Sequence, residues 1–567
     1  MRFPRLLTTL GCLFALTSSS FAAPASPAPV EADAIFTHGT VLPIQPAVEA
    51  QALAIRGGQI VAVGTESAIA RYKGPSTKIV DLKGKTIMPG FVEPHTHIDV
   101  GATNLAMVQC GSEQPGGLPR AQTIARLKAA VTKVPAGGWL LGNGFDPSRT
   151  TPLWADLSVH DLDGISTTVP ILVLNASGHI AYVNHRAYAL AGITDKTPNP
   201  PSGRYGHDKQ GHLDGRLYEP TSYTAFMAKV PTPSPQELRA QFLRVYKIFN
   251  ASGVTTVGDL NTGAVAGVAP EVAILRSLAA EAPVRVRCYL AYIALQGKTP
   301  PVKPFEGDDK LKFIGLKLTM DGSTQGFTAA LTQPYLHTSD KGELDWPSLP
   351  KLLASVKPYF DAGWQFSCHA NGDRALDQGL ALYGELTKNL SPQARANRRL
   401  RIEHFTVNRP EQVKKAAELG TTVSMTIGHV YFWGRVFNDY VLGAARAARI
   451  DPAAALLKQG VKVSFHSDYT ITSVSPLRYM MTAINRTPQQ NPPQVLGREQ
   501  GLTIDQALRA VTIDAAWQMF IDDKVGSLEP GKYADLVVLD QNPRKVDPSK
   551  LASIGIKAVY LAGKRVR

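Results

Sequence analysis

Two textures of hydrophobic patterning divide the chain. From residue 34 to residue 90, short apolar runs are punctuated by glycine: Ala34-Ile35-Phe36, Leu53-Ala54-Ile55, Ile60-Val61-Ala62-Val63, Lys78-Ile79-Val80-Asp81 and Thr86-Ile87-Met88. That texture predicts a small antiparallel β unit. It returns near the C-terminus in Leu536-Val537-Val538-Leu539 and in Ala558-Val559-Tyr560-Leu561. The two ends together predict one β-sandwich assembled from residues 24–88 and 521–567.

The middle, residues 89–520, has a different rhythm: apolar runs separated by helix-like stretches, each run ending in polar or glycine-rich residues. The runs are Gly90 to His97, Gly253 to Asp259, Val284 to Tyr292, Lys312 to Asp321, Trp364 to Asn371, Arg399 to Phe405, Thr421 to Ile427 and Val461 to Asp468. Eight strands alternating with helices predict an α/β fold, a (β/α)8 TIM-type barrel. The first interval, from residue 98 to residue 252, is far longer than one crossover helix needs. An insertion over roughly residues 101–240, with apolar runs of its own such as Val169 to Leu174, is expected there. It would follow the C-terminal end of a barrel strand and so cover the face where such barrels do chemistry.

Arg2 and Arg5 precede an apolar run, Leu6 to Leu16, and small residues follow at Ala22-Ala23-Pro24-Ala25. This is the layout of a cleaved secretory signal over residues 1–23, which predicts a periplasmic or secreted protein. No other apolar stretch reaches membrane length, so membrane insertion is not expected. The formal net charge is +14, from 60 Lys and Arg against 46 Asp and Glu. The basic residues are dispersed as on an ordinary solvated surface, with no basic block or recognition-helix pattern, which argues against a nucleic-acid partner; the partner expected is a small-molecule substrate. Outside the signal only Cys110, Cys288 and Cys368 occur. They are too few for a disulfide scaffold and read as small buried hydrophobes.

The chemistry sits where the histidines fall. His95 and His97 end the first run two residues apart, so strand alternation points both to one side and lets them share a metal ion. His369 ends the fifth run, His404 the sixth and Asp468 the eighth, while Lys317 lies in the fourth. All of them can converge on one barrel mouth. A lone buried histidine is more often structural than a ligand; the joint pattern is what points to a metal.

Several motifs resemble the amidohydrolase superfamily, and within it the YtcJ-like (amidohydrolase 3) branch. They are Ile87-Met88-Pro89-Gly90-Phe91-Val92-Glu93-Pro94-His95-Thr96-His97, Gly253-Val254-Thr255-Thr256-Val257, Asp321-Gly322-Ser323, His369-Ala370-Asn371-Gly372-Asp373-Arg374-Ala375, Arg401-Ile402-Glu403-His404, Ser467-Asp468 and the tail Gly526 to Leu536. The resemblance covers nearly the whole chain after the signal. It implies a centre of one or two divalent ions, with His95, His97 and Asp468 on one side and His369 and His404 on the other. Lys317 would bridge the two ions as a carbamate; the alternative is a barrel lysine paired with Asp321. His and carboxylate donors suit zinc, while iron, manganese and cobalt stay open. Asp468 is implied as the general base, and the implied reaction is hydrolysis of a non-peptide carbon–nitrogen bond in an amide, N-acyl or N-formyl compound.

Two further residues are candidates for substrate binding. Asn175-Ala176-Ser177-Gly178-His179 departs from the branch's usual wording, which leaves His179 as the candidate there. His429, just past the seventh run, is the second, with Tyr431, Phe432 and Trp433 as an aromatic wall. The rival enzymatic reading is a mononuclear deaminase, against which stands the lack of a glutamate after His369 in Ala370-Asn371-Gly372-Asp373. A non-catalytic metal-binding barrel is the third reading. Oligomeric state is not legible.

Overall fold

The computed structural model describes residues 31–567 except 202, 296 and 491–493. The segment read as an export signal lies outside the described residues. Among the described residues no helix is long and apolar enough to cross a membrane.

All eight expected barrel strands form, and they pair in chain order in one parallel sheet: β1 (Phe91–Thr96), β2 (Val254–Thr262), β3 (Arg285–Ala291), β4 (Leu311–Thr319), β5 (Gln365–Ala370), β6 (Arg401–His404), β7 (Thr422–Met425) and β8 (Val463–Phe465). They read as near-continuous apolar runs because both faces of such a sheet are covered. The circle closes between β8 and β1 through a parallel bridge of Thr96 to Tyr469 and the bond from His97 N to Tyr469 O at 2.8 Å. Ends differ from the sequence reading most at β8, which stops at Phe465. The backbone N–H and hydroxyl of Ser467 both donate to the buried Glu93 carboxylate, at 2.7 and 3.0 Å. His466 N still donates to Met425 O of β7 at 3.0 Å, and the Glu93 bonds hold Ser467 just beyond the strand.

Between β1 and β2 stands a separate six-stranded sheet, from Val108–Gln109 to Leu213–Tyr218, with its own apolar clusters around Leu172, Val183 and Leu217 and around Leu140, Val173 and Tyr182. The crossover helix Pro235–Ala251 begins inside the interval expected to be inserted, because Ser234 and Glu237 form a capping box and Pro235 takes the first helical position. The sandwich has a four-stranded sheet made only of N-terminal strands and a five-stranded sheet that mixes Thr86–Pro89 with Leu536–Leu539 and Ile556–Leu561. Phe36, Leu53, Ile87, Leu536 and Val538 share its core. Arg285 of β3 donates to the Asp535 carboxylate from Nε at 2.7 Å and from Nη2 at 3.1 Å, tying barrel to sandwich.

Candidate active site

His95 and His97 project from the end of β1 and meet Asp468 across the mouth. Asp468 Oδ1 lies 3.1 Å from His95 Nε2 and 2.9 Å from His97 Nε2. His95 is fully buried, while Asp468 and His97 keep a small exposed fraction, as a reactive mouth requires. Asp468 sits at φ +54° and His404 at φ +73°, backbone conformations that cost a side chain about 1–3 kcal/mol and that the surrounding bonds must hold.

His95 is oriented from behind. Its Nδ1 lies 2.8 Å from Glu403 Oε2, and that carboxylate also accepts from Ser367 Oγ at 2.7 Å and from Arg401 Nη2 at 2.9 Å. Burial pushes the Glu403 carboxyl up, but Arg401 and His95 outweigh it and hold the group well below the usual carboxylate range. An ionised Glu403 requires N–H at His95 Nδ1, and that bond turns Nε2 toward Asp468.

His404 is set by a second relay. Its Nδ1 lies 2.7 Å from Thr426 Oγ1, and the same hydroxyl lies 2.8 Å from His466 Nε2; His466 Nδ1 lies 2.7 Å from Ser424 Oγ. One hydroxyl proton serves both rings, so the tautomers of His404 and His466 are linked. His404 Nε2 is buried and has no hydrogen-bond partner among the described residues. Such an orphan costs about 1–3 kcal/mol unless a cation or water satisfies it.

Lys317 Nζ lies 3.2 Å from His95 Nε2, and burial lowers its pKa. The alternative pairing with Asp321 does not form. Asp321 instead accepts backbone N–H bonds from Ala330, Asn371 and Gly372 at 2.7–3.0 Å. His369 projects beside His404, ring centroids 4.4 Å apart, with Nε2 3.0 Å from the Gly322 carbonyl. Burial depresses His97 to about 4 and takes His369, His404 and His466 well below the ordinary histidine value. These rings are therefore neutral near pH 7, the state in which imidazole ligates.

Among the described residues two groups have metal-ligand spacing: His95, His404 and Asp468, and His95, Glu403 and His466. In the second, Glu403 and His466 are taken up by Arg401, Ser367, Ser424 and Thr426. The first presents a free lone pair and an anionic oxygen to the mouth. With His97 alongside, its donor set fits a divalent ion.

The separate sheet delivers His179, whose ring centroid lies 5.4 Å from that of His369. His179 Nδ1 is 2.6 Å from Glu219 Oε2. Burial pulls its pKa down, yet Glu219 overrides that and holds the imidazolium up to about 9. Glu219 sits at φ +64° and ψ 149°, a strained backbone that aims its carboxylate. His429 is reached by Thr406, whose hydroxyl donates to Asn371 Oδ1 at 2.8 Å and lies 3.1 Å from His429 Nδ1. His429 Nδ1 is then the donor of that pair, with Asp451 Oδ1 3.6 Å from the same nitrogen. Trp433 is anchored by its Nε1 on Asp146 Oδ2 at 2.8 Å. Cys110, Cys288 and Cys368 are buried free thiols.

Glu403, Thr426, His466 and Glu219 are the residues that sequence reasoning missed as parts of the site. Glu403 precedes His404 in a quoted motif and His466 lies two residues before Asp468, yet neither position says which way the side chain faces.

A family model described as the amidohydrolase family matches residues 78–567, and the chain belongs to that family of hydrolases acting on carbon–nitrogen bonds. It is 25% identical to the N-substituted formamide deformylase of Arthrobacter pascens, over 91% of this chain and 94% of that one. It is also 25% identical to the putative amidohydrolase YtcJ of Bacillus subtilis, over 91% and 96%. A crystal structure described as an uncharacterised metal-dependent hydrolase from Pyrococcus horikoshii superposes with a TM-score of 0.69 at 23% identity, covering 91% of this chain and 99% of that one.

Proposed function

We propose that this chain is a metal-dependent hydrolase that cleaves the carbon–nitrogen bond of a non-peptide amide, an N-acyl or N-formyl compound, with Asp468 as general base. The observation that carries the reading is the meeting of His95 Nε2, His97 Nε2 and Asp468 Oδ1 within 2.9–3.1 Å beside the partnerless His404 Nε2. His95, His97, His404 and Asp468 would hold the first ion, and zinc suits that donor set. A carbamate on Lys317 would recruit a second ion with His369, and the lowered pKa of Lys317 supports that step, since only a neutral amine captures CO2. When bound, a divalent ion polarises the substrate carbonyl and lowers the pKa of water.

The protein's own groups do the rest. Asp468 is held well below the usual carboxylate range, because His95 and His97 outweigh its burial, so it is anionic and ready to accept a proton from the attacking water. It can return that proton to the departing amine. His179, cationic at neutral pH, supplies a hydrogen bond to an oxygen of the substrate. His429 would contact the substrate carbonyl or carboxylate from the segment just past β7. The name of the deformylase relative supports formamides as first substrates to try. We also read residues 1–23 as an export signal, which sequencing of the mature N-terminus tests.

The test is metal analysis of the purified protein with a panel of formamides, N-acyl amino acids and small lactams. Asp468→Asn, with metal content measured, should lower kcat at least about 1,000-fold on any substrate found. Turnover as fast as wild type would remove Asp468 from the role of base.

A further inference from the structure

Beside the mouth lies a cavity of about 150 Å³ lined by Arg149, Asp146, Gly111, Ala176, Thr470 and Ile471. Two of its walls continue from the site: Ile471 N donates to Asp468 O at 2.6 Å, and Ala176 lies three residues before His179. The Trp433 ring beneath Arg149 stands 5.9 Å from that of His429.

Arg149 is the unusual member. It is 7% exposed, yet its Nε and Nη2 are buried without a hydrogen-bond partner among the described residues. These two N–H groups form one edge of the guanidinium, the fork that matches the two oxygens of a carboxylate. The plane is held by aromatic faces, with the guanidinium carbon 4.7 Å from the Phe432 ring centroid and 5.7 Å from that of Trp433. Nearby carboxylates are already engaged. Asp146 accepts from Ser148 N, Ser148 Oγ and Trp433 Nε1, and Glu113 accepts from Ser473 and from Arg478 Nη1 at 3.2 Å. A buried guanidinium whose fork is unfilled loses a charge-assisted pair of hydrogen bonds that a ligand would restore.

We infer that Arg149 is a specificity-determining residue that receives a carboxylate of the substrate, so that the amide hydrolysed is one bearing a carboxylate, as an N-acyl amino acid does. A monoanion is favoured over a phosphate dianion, because Asp146 and Glu113 already balance Arg149 and Arg478. The cavity also suits a group the size of a carboxylate with a short stem. This substrate class rests on the amide-hydrolase reading above; the existence of the anion site does not.

The experiment compares N-acetylleucine with its uncharged analogue N-acetylleucinamide on the metal-loaded protein, by calorimetry and, where hydrolysis occurs, by initial rates. We expect the carboxylate form to bind, or to show KM, roughly 10- to 100-fold tighter. Arg149→Met should abolish that preference and Arg149→Lys should restore part of it, both with unchanged metal content. Equal affinity in the wild type, no binding of either compound, or a preference that survives in Arg149→Met overturns the inference. So does competition by inorganic phosphate that depends on Arg149 without any preference for N-acetylleucine. Should Arg149→Met fail to fold, the wild-type comparison of acid against amide still decides. An Arg149-dependent preference with no turnover of either compound would uphold the carboxylate site and count against the hydrolytic reading for these amides.

Discussion

His95 Nδ1 lies 2.8 Å from Glu403 Oε2, a pair buried without exposure that joins the first and sixth barrel strands. The bond determines which ring nitrogen of His95 faces the mouth. Glu403→Gln removes the charge that holds this tautomer and leaves Arg401 without its anion. Metal affinity, read by chelator competition, should fall about 10- to 100-fold. Stability in urea should fall by roughly 3–5 kcal/mol. Unchanged metal affinity in a folded variant would show that Glu403 serves the fold alone.

The Thr426 hydroxyl lies between His404 and His466, within hydrogen-bond distance of both rings. Thr426→Val keeps the shape and deletes the relay. The expected result is a loss of metal affinity of about tenfold or more, with a melting temperature of the metal-free protein lower by only a few degrees. Thr426→Ser should restore affinity. A Val variant that binds metal as the wild type does would sever the relay from the centre.

The His179–Glu219 pair gives a pH dependence of definite sign. The folded-state pKa of His179, about 9, stands above the roughly 6.5 of an unfolded histidine. The pair's contribution, on the order of 2–3 kcal/mol, is therefore complete below about pH 6.5 and is lost as pH rises through about 9. Urea unfolding of wild type and Glu219→Gln between pH 6 and pH 9.5 isolates this part from other titrations. The wild type should lose more stability across that window than the variant, and parallel curves would contradict the assignment.

Arg285 and Asp535 are both buried where β3 meets the sandwich. Asp535→Asn leaves a buried guanidinium short of its anion, and unfolding free energy should drop by roughly 3–5 kcal/mol. Metal content of the folded fraction should not change, since the pair lies away from the mouth. A loss under 1 kcal/mol would mean that water or Asp309 takes over.

Much of the architecture was legible because it rests on local physics. Strand periodicity and run length depend on near neighbours, so all eight barrel strands, the β-rich ends and the long interval after His97 could be read directly. The positions of His95, His369, His404 and Lys317 at or near strand ends followed from the same pattern. Asp468 was placed at a strand end but stands three residues beyond it, because Glu93, remote in sequence, captures Ser467.

The sequence by itself determined the barrel, the amidohydrolase resemblance and the candidates for metal ligation at the barrel mouth. Only the tertiary structure decided how those residues are held. Glu403 behind His95, Thr426 between His404 and His466, and Glu219 beneath His179 are contacts across 308, 22, 40 and 40 positions. Side-chain direction at such range is set by packing and by the pairing of buried polar groups, which no local pattern encodes. The same holds for Arg149, which is one basic residue among many in the sequence and becomes distinctive only when burial removes its water and leaves two donors without partners among the described residues.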